Sequence, residues 1–193
     1  VFLFSSVVPK VFMSIKKSFK SSKFKILEIK NLKLNKIIEI NIKNKKSLGS
    51  DRIANAIGAK KIKNCLIIDF GTATTFDIIK NGVYEGGVIA PGVNLSINNL
   101  SKATALLPLI NLKRHQKSYG KNTIEALNAG FVWGYEGLIN NIIDKIISRS
   151  KIKYKILLTG GYANFFNKMI KKRLVIDQDI TIKGIANAYK ELV

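Results

Sequence analysis

Cysteine is almost missing from this sequence. Cys65 stands alone, so no internal disulfide can form, and that usage fits a reducing compartment such as the cytoplasm. Arginine is scarce as well, with 4 residues against 29 lysines. Acidic residues number 12 against 33 basic ones, which leaves a net charge of +21. A charge of that size attracts polyanions, yet arginine, the residue of base readout and bidentate phosphate contact, is the one in short supply. Lysine rises together with 30 Ile and 18 Asn, the mark of a low-GC coding bias that acts on every surface position. The runs "KNKK" (43–46) and "KKIK" (60–63) therefore read as solvated loops, and nucleic acid is not an expected partner. Long apolar runs are absent too: none approaches the roughly 18–20 residues of a membrane span, and no membrane partner is expected. The apolar opening "VFLFSSVVPKVFM" has no basic stretch before it, unlike a signal peptide. It begins with Val and reaches its first Met at Met13, so it reads as a chain whose beginning is missing. The lone histidine, His115, falls in the polar stretch "NLKRHQKS" and reads as an exposed loop residue.

What is present is a globular chain. It has 193 residues, 47% of them hydrophobic, enough for one large domain or two small ones with a real core. Residues 1–7 read as a strand and 10–20 as a lysine-rich amphipathic helix. "FKILEI" (24–29) reads as a strand, and "KIIEINI" (36–42) as a further one. A helix is expected at "SDRIANAIGA" (50–59), with Ser50 or Asp51 able to cap it. A buried strand comes next at 64–69, and "KNG" marks a hairpin turn within 74–90. "PGVNLSINNLSKATALL" (91–107) continues as a helix. Over 122–148 the residues Ile124, Leu127, Phe131, Tyr135, Leu138, Ile142 and Ile146 step by three or four, one stripe of a long helix. Gly130, Gly134 and Gly137 share another face, where close approach of a backbone or a partner helix is expected. "YKILLTGG" (154–161) is a strand running into a double glycine and a helix. A short strand and a final helix starting near Asp179 or Thr181 close the chain. Strands alternating with helices around one hairpin predict an α/β fold with a mixed sheet.

"CLIIDFGTATTFD" (65–77) raises the functional question. A core strand discharges into Asp69, a glycine and three threonines, with a second acid at Asp77. Gly71 allows a sharp turn and close approach to a ligand, and free backbone N–H groups with the Thr72 hydroxyl can grip phosphate oxygens. Asp69 beside phosphates requires a cation to offset the repulsion. The same residues can also make a plain hairpin turn capped by an Asp. "DFG" is shared with protein kinases by accident, since no "HRD" loop or "GxGxxG" strand accompanies it. "TGG" (159–161) repeats the strand–glycine turn–helix arrangement that seats nucleotides. "GSDR" (49–52) places an acid beside an arginine, a general base next to a cationic anchor for an anionic substrate, or else a helix cap with a surface Arg.

Taken in order, "GSDR", "DFGTATTFD", "GGVIAPG", "LP", "GKNTIEALNAGFVWGYEGLI", "TGGYA" and "DQDITIKGI" resemble the type III pantothenate kinases, from "SSVVP" to the last helix. The resemblance implies the actin-like, sugar-kinase-like α/β fold, two ribonuclease-H-like domains with ATP between them, acting as a homodimer. It implies a remainder of the first domain at 1–60, with its first strands missing, and the second domain at 61–193. The implied activity is ATP-dependent phosphorylation of pantothenate to 4′-phosphopantothenate, the first step of coenzyme A biosynthesis, with Mg2+ accompanying ATP. By position, Asp51 resembles the catalytic base, and Gly49, Ser50, Asp51 and Arg52 the pantothenate-contacting segment, with Thr123 a further substrate contact. Asp69 resembles the acid that holds a monovalent cation, K+ or NH4+. Gly71, Thr72, Gly160 and Gly161 fall at ATP-contacting positions.

The sequence also departs from the family pattern. The family's "DxGNT"-type phosphate loop, which precedes "SSVVP", does not occur in this sequence. Where the family has a Tyr-Asp-Asn-Pro-like run before "GxDR", this chain has Ile42, Lys43, Asn44 and Lys45, with only Asn44 in agreement. Ser50 stands where family members often have Ala. The alternative these departures leave is a non-catalytic ligand-binding or regulatory relative on the same fold.

Overall fold

The computed structural model describes residues 1–20, 23–114 and 118–192; His115 lies outside the described residues. In chain order the elements are β1 (Phe2–Phe4), α1 (Pro9–Ser18), β2 (Ile26–Glu28), α2 (Ser50–Gly58), β3 (Cys65–Phe70), β4 (Ala73–Lys80), β5 (Val83–Pro91), α3 (Val93–Ala103), α4 (Thr123–Ser150), β6 (Lys155–Gly160), α5 (Ala163–Phe166), β7 (Leu174–Ile176) and α6 (Ile180–Leu192). Among the described residues no helix is long and apolar enough to cross a membrane.

Five strands form one sheet in the order β5-β4-β3-β6-β7, while β1 and β2 pair separately and in parallel. The β4–β5 turn uses Asn81 and Gly82, both at positive φ (52° and 84°), the two-residue geometry that matches the twist of a hairpin. β6 and β7 run parallel, Leu157 opposite Val175. A hairpin beside a parallel pair makes the sheet mixed, as the alternating pattern predicted.

Packing divides the chain into two compact units. The first comprises Val1–Ile67, Asp77–Gly87 and Asp177–Val193. In it α2 lies against α6 at a distance that glycine permits: a Cβ on Gly184 would overlap the Ala54 carbonyl oxygen, and one on Gly58 the Ile180 carbonyl oxygen. The buried face of α2 carries Ile53, Ala54, Ala56 and Ile57. The second unit comprises Ile68–Phe76 and Val88–Ile176. Its buried residues include Phe70 and Phe166, stacked with ring centroids 5.5 Å apart, and Val132, Ile139 and Ile143 of α4. Tyr135 packs there too, with its hydroxyl 2.7 Å from Ser96 Oγ.

Several expectations are corrected. Residues 36–42 do not form a strand; the segment contributes a single bridge, Ile40 to Tyr84, after a short 3-10 turn at Leu34–Lys36. Its side chains alternate, but among the described residues no strand pairs with it along its length. The N-cap position of α2 is Gly49, which has no side chain to bond, so neither Ser50 nor Asp51 stands at that position. The buried stripe of α4 is Asn128, Ala129, Val132, Tyr135, Ile139, Asn140 and Ile143. That is one edge round from the predicted stripe, and Ile124 is exposed. The helix is apolar over a wide arc, so periodicity alone could not choose the inward edge. Among the described residues nothing lies within 4 Å of a Cβ placed on Gly130, Gly134 or Gly137.

Candidate active site

In the first unit the site residues gather at the start of α2. Gly49 ends an extended segment at φ −63° and ψ 142°, and its missing side chain leaves room for a carboxylate: a Cβ there would lie 2.5 Å from Asp51 Oδ1. The Asp51 carboxylate curls over its own helix N-terminus and accepts the Arg52 backbone N–H at 2.8 Å. An acid in the first turn is favoured by the helix dipole and the unpaired N–H groups there. Asp51 stays partly open to solvent. Ser50, fully buried, donates to Glu28 Oε1 at 2.9 Å, and Lys30 lies 3.3 Å from the same oxygen.

Arg52 turns inward. Its Nε donates to Asp77 Oδ1 at 2.7 Å, with the Arg side chain 13% and the Asp side chain 0% exposed. The same Oδ1 accepts the Tyr84 hydroxyl at 2.7 Å. Burial first, and then the neighbouring Asp77 charge, push the Tyr84 phenol well above its ordinary range, so it remains a donor. Arg52 Nη2 is buried and has no hydrogen-bond partner among the described residues.

In the second unit the turn between β3 and β4 presents Gly71 and Thr72 to solvent, with Asp69 half-buried at the end of β3. The turn is held from below, because a Cβ on Gly92 would overlap the Thr72 carbonyl oxygen. Gly160 ends β6 at φ 84°, and a Cβ there would come within 2.6 Å of both Asp69 Oδ1 and the Phe70 carbonyl oxygen. The Asp69 carboxylate thus sits in a cradle that only a residue without a side chain leaves open. Two backbone N–H groups are already committed: Gly71 donates to Ala73 O and Gly161 to Phe70 O, each at 3.1 Å. The helix after "TGG" is a single turn, Ala163–Phe166, too short to present a helix dipole. This strand end therefore offers a glycine turn, not the helix N-terminus its sequence suggested. Thr123 opens α4 and is exposed, behind an Asn122 cap whose side chain accepts Glu125 N–H at 2.9 Å. It borders an apolar groove lined by Leu100, Leu107, Leu127 and Phe131.

Comparison with known proteins decides the family. The sequence model of the type III pantothenate kinases matches residues 1–145. A type III pantothenate kinase of Pelagibacter ubique is 50% identical over 188 residues, covering 96% of this chain and 75% of that protein. The chain belongs to the type III pantothenate kinase family. A second type III pantothenate kinase, from a Sulfurihydrogenibium species, is 38% identical over 94% of this chain and 73% of its own length. Among solved structures, a Campylobacter jejuni protein named for the Baf family of transcriptional activators superposes with a TM-score of 0.67 at 22% identity, over 98% of this chain and 81% of that one. The ethanolamine utilization protein EutJ of Carboxydothermus hydrogenoformans gives 0.51 at 14% identity, over 94% and 62%. These likenesses bear on the fold alone, which is α/β with a mixed five-stranded sheet.

Several residues that shape this kinase-family site carried no assigned role in the sequence. Asp77 was visible as a second acid, but its contact with Arg52 spans 25 residues and leaves no local trace. Tyr84 and Glu28 were equally silent. Gly92 stands in the quoted "GGVIAPG", where Pro-Gly before a helix signals a turn but not what the turn supports. In the Ile42–Lys45 stretch, Asn44 accepts the Lys46 N–H at 3.1 Å, so the one residue agreeing with the family's run caps a local turn.

Proposed function

We propose that this protein transfers the γ-phosphoryl group of ATP to the primary hydroxyl of pantothenate, giving 4′-phosphopantothenate at the entry to coenzyme A biosynthesis. Membership of a phosphotransferase family supports the reaction class. The observation that carries the residue assignment is the neighbouring pair at the start of α2, a partly open Asp51 beside an Arg52 with an unpaired buried N–H. Asp51 takes the hydroxyl proton as the oxygen attacks the γ-phosphorus, and the bond to the ADP oxygen breaks. Arg52 anchors the pantothenate carboxylate, and Gly49, Ser50 and Thr123 complete the substrate contacts. Phosphoryl transfer is largely positioning and charge stabilisation, so holding both partners still is most of the task.

On the nucleotide side, Gly71, Thr72, Gly160 and Gly161 are proposed to line the phosphates, through the exposed Thr72 hydroxyl and the open backbone surface of the glycines. Asp69 in its cradle is the proposed ligand for a monovalent cation, K+ or NH4+, whose charge would offset repulsion between carboxylate and phosphates. Among the described residues no group of three or more His, Cys, Asp or Glu is arranged to hold a metal. Mg2+ is proposed to accompany ATP, held mainly by its phosphates. We further propose a cytoplasmic homodimer, supported by the reducing cysteine usage and by the open glycine face of α4. The division into domains at 1–60 and 61–193 is proposed from the resemblance; by packing, residues 77–87 and 177–193 go with the first unit.

The test is direct. With ATP, Mg2+ and K+ the full-length protein should convert pantothenate to a product heavier by one phosphoryl group, detected by mass spectrometry, and Asp51→Asn should slow the conversion by roughly 10²–10⁴-fold. Near-normal conversion by Asp51→Asn would move the base elsewhere. A chain that binds pantothenate and ATP without converting them would favour the non-catalytic relative.

A further inference from the structure

The buried ion pair at Arg52 asks why it is buried. Such pairs contribute little to stability compared with apolar residues of the same volume, because desolvation offsets the attraction. A pair that served packing alone would also leave its donors satisfied, since an unpaired buried N–H costs free energy. Here one is left over, Arg52 Nη2. Of the two partners only Arg52 keeps any exposed side chain, 13% against 0% for Asp77, so a ligand that meets this pair meets it through the guanidinium.

We infer that Asp77, backed by Tyr84, is a positioning residue that fixes the Arg52 guanidinium through Nε and leaves its other N–H edge for the carboxylate of pantothenate. The inference rests on the reading of Arg52 as the cationic anchor. A guanidinium is a planar fork of five N–H donors, and one firm bond at Nε sets the plane of the whole group. Asp77 Oδ1 makes that bond at 2.7 Å. The carboxylate is held in turn by the Tyr84 hydroxyl at 2.7 Å on the same oxygen, and Tyr84 is fully buried. The terminal Nη edge then faces a bidentate acceptor with its orientation already set, the geometry in which Arg and carboxylate bind best. Tyr84 gains a second role. Being a phenol that stays protonated beside a carboxylate, it keeps Asp77 Oδ1 in place without adding charge to the cluster. The bidentate edge recognises one chemical class, a carboxylate or phosphate oxygen pair, and the position beside Asp51 favours the carboxylate of the substrate whose hydroxyl Asp51 deprotonates.

Calorimetric binding to the full chain separates the possibilities, using pantothenate, pantothenyl alcohol (the same molecule with CH2OH for the carboxylate) and a non-hydrolysable ATP analogue. Wild type should prefer the acid, and Arg52→Ala should erase that preference. Asp77→Asn should weaken pantothenate by roughly 10–100-fold, as expected when one partner of a buried charged pair is lost, and leave the alcohol and the nucleotide nearly unchanged. Tyr84→Phe should act in the same direction by roughly 3–10-fold, the effect of one hydrogen bond. In turnover the same variants should raise KM for pantothenate by matching factors and leave kcat close to wild type. If Asp77→Asn does not fold, Tyr84→Phe, which removes one oxygen, decides alone. Equal losses on acid and alcohol, or a lowered Tm with unchanged binding, would show a scaffold role and overturn the inference. A loss confined to the ATP analogue would do the same by assigning the edge to phosphate. If Arg52→Ala does not discriminate acid from alcohol, the anchor reading itself fails and the inference falls with it. If Arg52→Ala discriminates and Asp77→Asn does not, only the positioning role is lost.

Discussion

At the start of α2, side chains hold one another: Tyr84 holds Asp77, Asp77 holds Arg52, and Glu28 holds Ser50, all through bonds of 2.7–2.9 Å. At the turn after β3, the shape is made by the absence of side chains, with Gly92 under Thr72 and Gly160 beside Asp69. The first arrangement uses directional charge to orient a group of fixed geometry. The second uses backbone close approach to leave open surface for a ligand rich in oxygen. The two should respond to different injuries. Charge and hydrogen-bond changes should disable the α2 cluster, whereas a single methyl group should disable the turn.

The comparison breaks most visibly at Asp51. Asp51→Asn should lower kcat by roughly 10²–10⁴-fold, the range for loss of a general base, with pantothenate affinity little altered in calorimetry. Near-normal turnover would remove Asp51 from that role. Next comes Gly92→Ala. A Cβ that overlaps the Thr72 carbonyl oxygen must push the turn, and displacement on that scale can cost roughly 10²-fold in rate. The loss should appear in the nucleotide terms, with binding of pantothenate alone unchanged; the reverse pattern would contradict the assignment of this turn to ATP.

A smaller effect separates the cations. Rates should be several-fold higher in K+ or NH4+ buffers than in Na+, which is smaller and more tightly hydrated, and Asp69→Asn should flatten that difference. Equal rates in sodium and potassium with the wild type would free Asp69 from the cation. The α2 cluster has its own signature in stability against pH. Burial holds the Tyr84 phenol protonated in the folded state, while an unfolded tyrosine ionises near about pH 10. Its folded pKa is raised, so its contribution is complete below about pH 10 and is lost as pH climbs above it. For one such proton the slope is about 1.4 kcal/mol per pH unit. Denaturant melts of Tyr84→Phe should show a shallower alkaline decline than wild type, and an unchanged slope would mean that another buried phenol dominates. Smallest of all, Ser50→Ala should cost about 1–2 kcal/mol, the range for a lost buried hydrogen bond. Glu28 keeps Lys30 at 3.3 Å, so a denaturant melt should show no more than that loss.

How much of the molecule was legible depends on the range of each interaction. The strands, the hairpin at Asn81–Gly82 and the long helix were readable because their signals repeat within a few residues. Family membership was readable because several short motifs occur in one order. The strand expected at 36–42 failed because a strand is defined by its partner, and alternation says nothing about whether one exists. The inward edge of α4 failed because a helix apolar over most of its circumference has no preferred edge until something packs on it.

By itself the sequence determined which chemical groups this protein has and their local setting: Asp51 beside Arg52 at a helix start, Asp69 before a glycine turn, and a double glycine at the end of the strand read in 154–161. Local order fixes those, since neighbours in the chain stay neighbours in space. Only the tertiary structure decided that Asp77 lies against Arg52, that Tyr84 stands behind Asp77, and that Gly92 lies under Thr72. Those pairings join residues between 7 and 25 positions apart for the charged cluster and link separate elements at the turn. No periodicity carries such a distance, and it is the packing of the sheet and helices that brings the groups together.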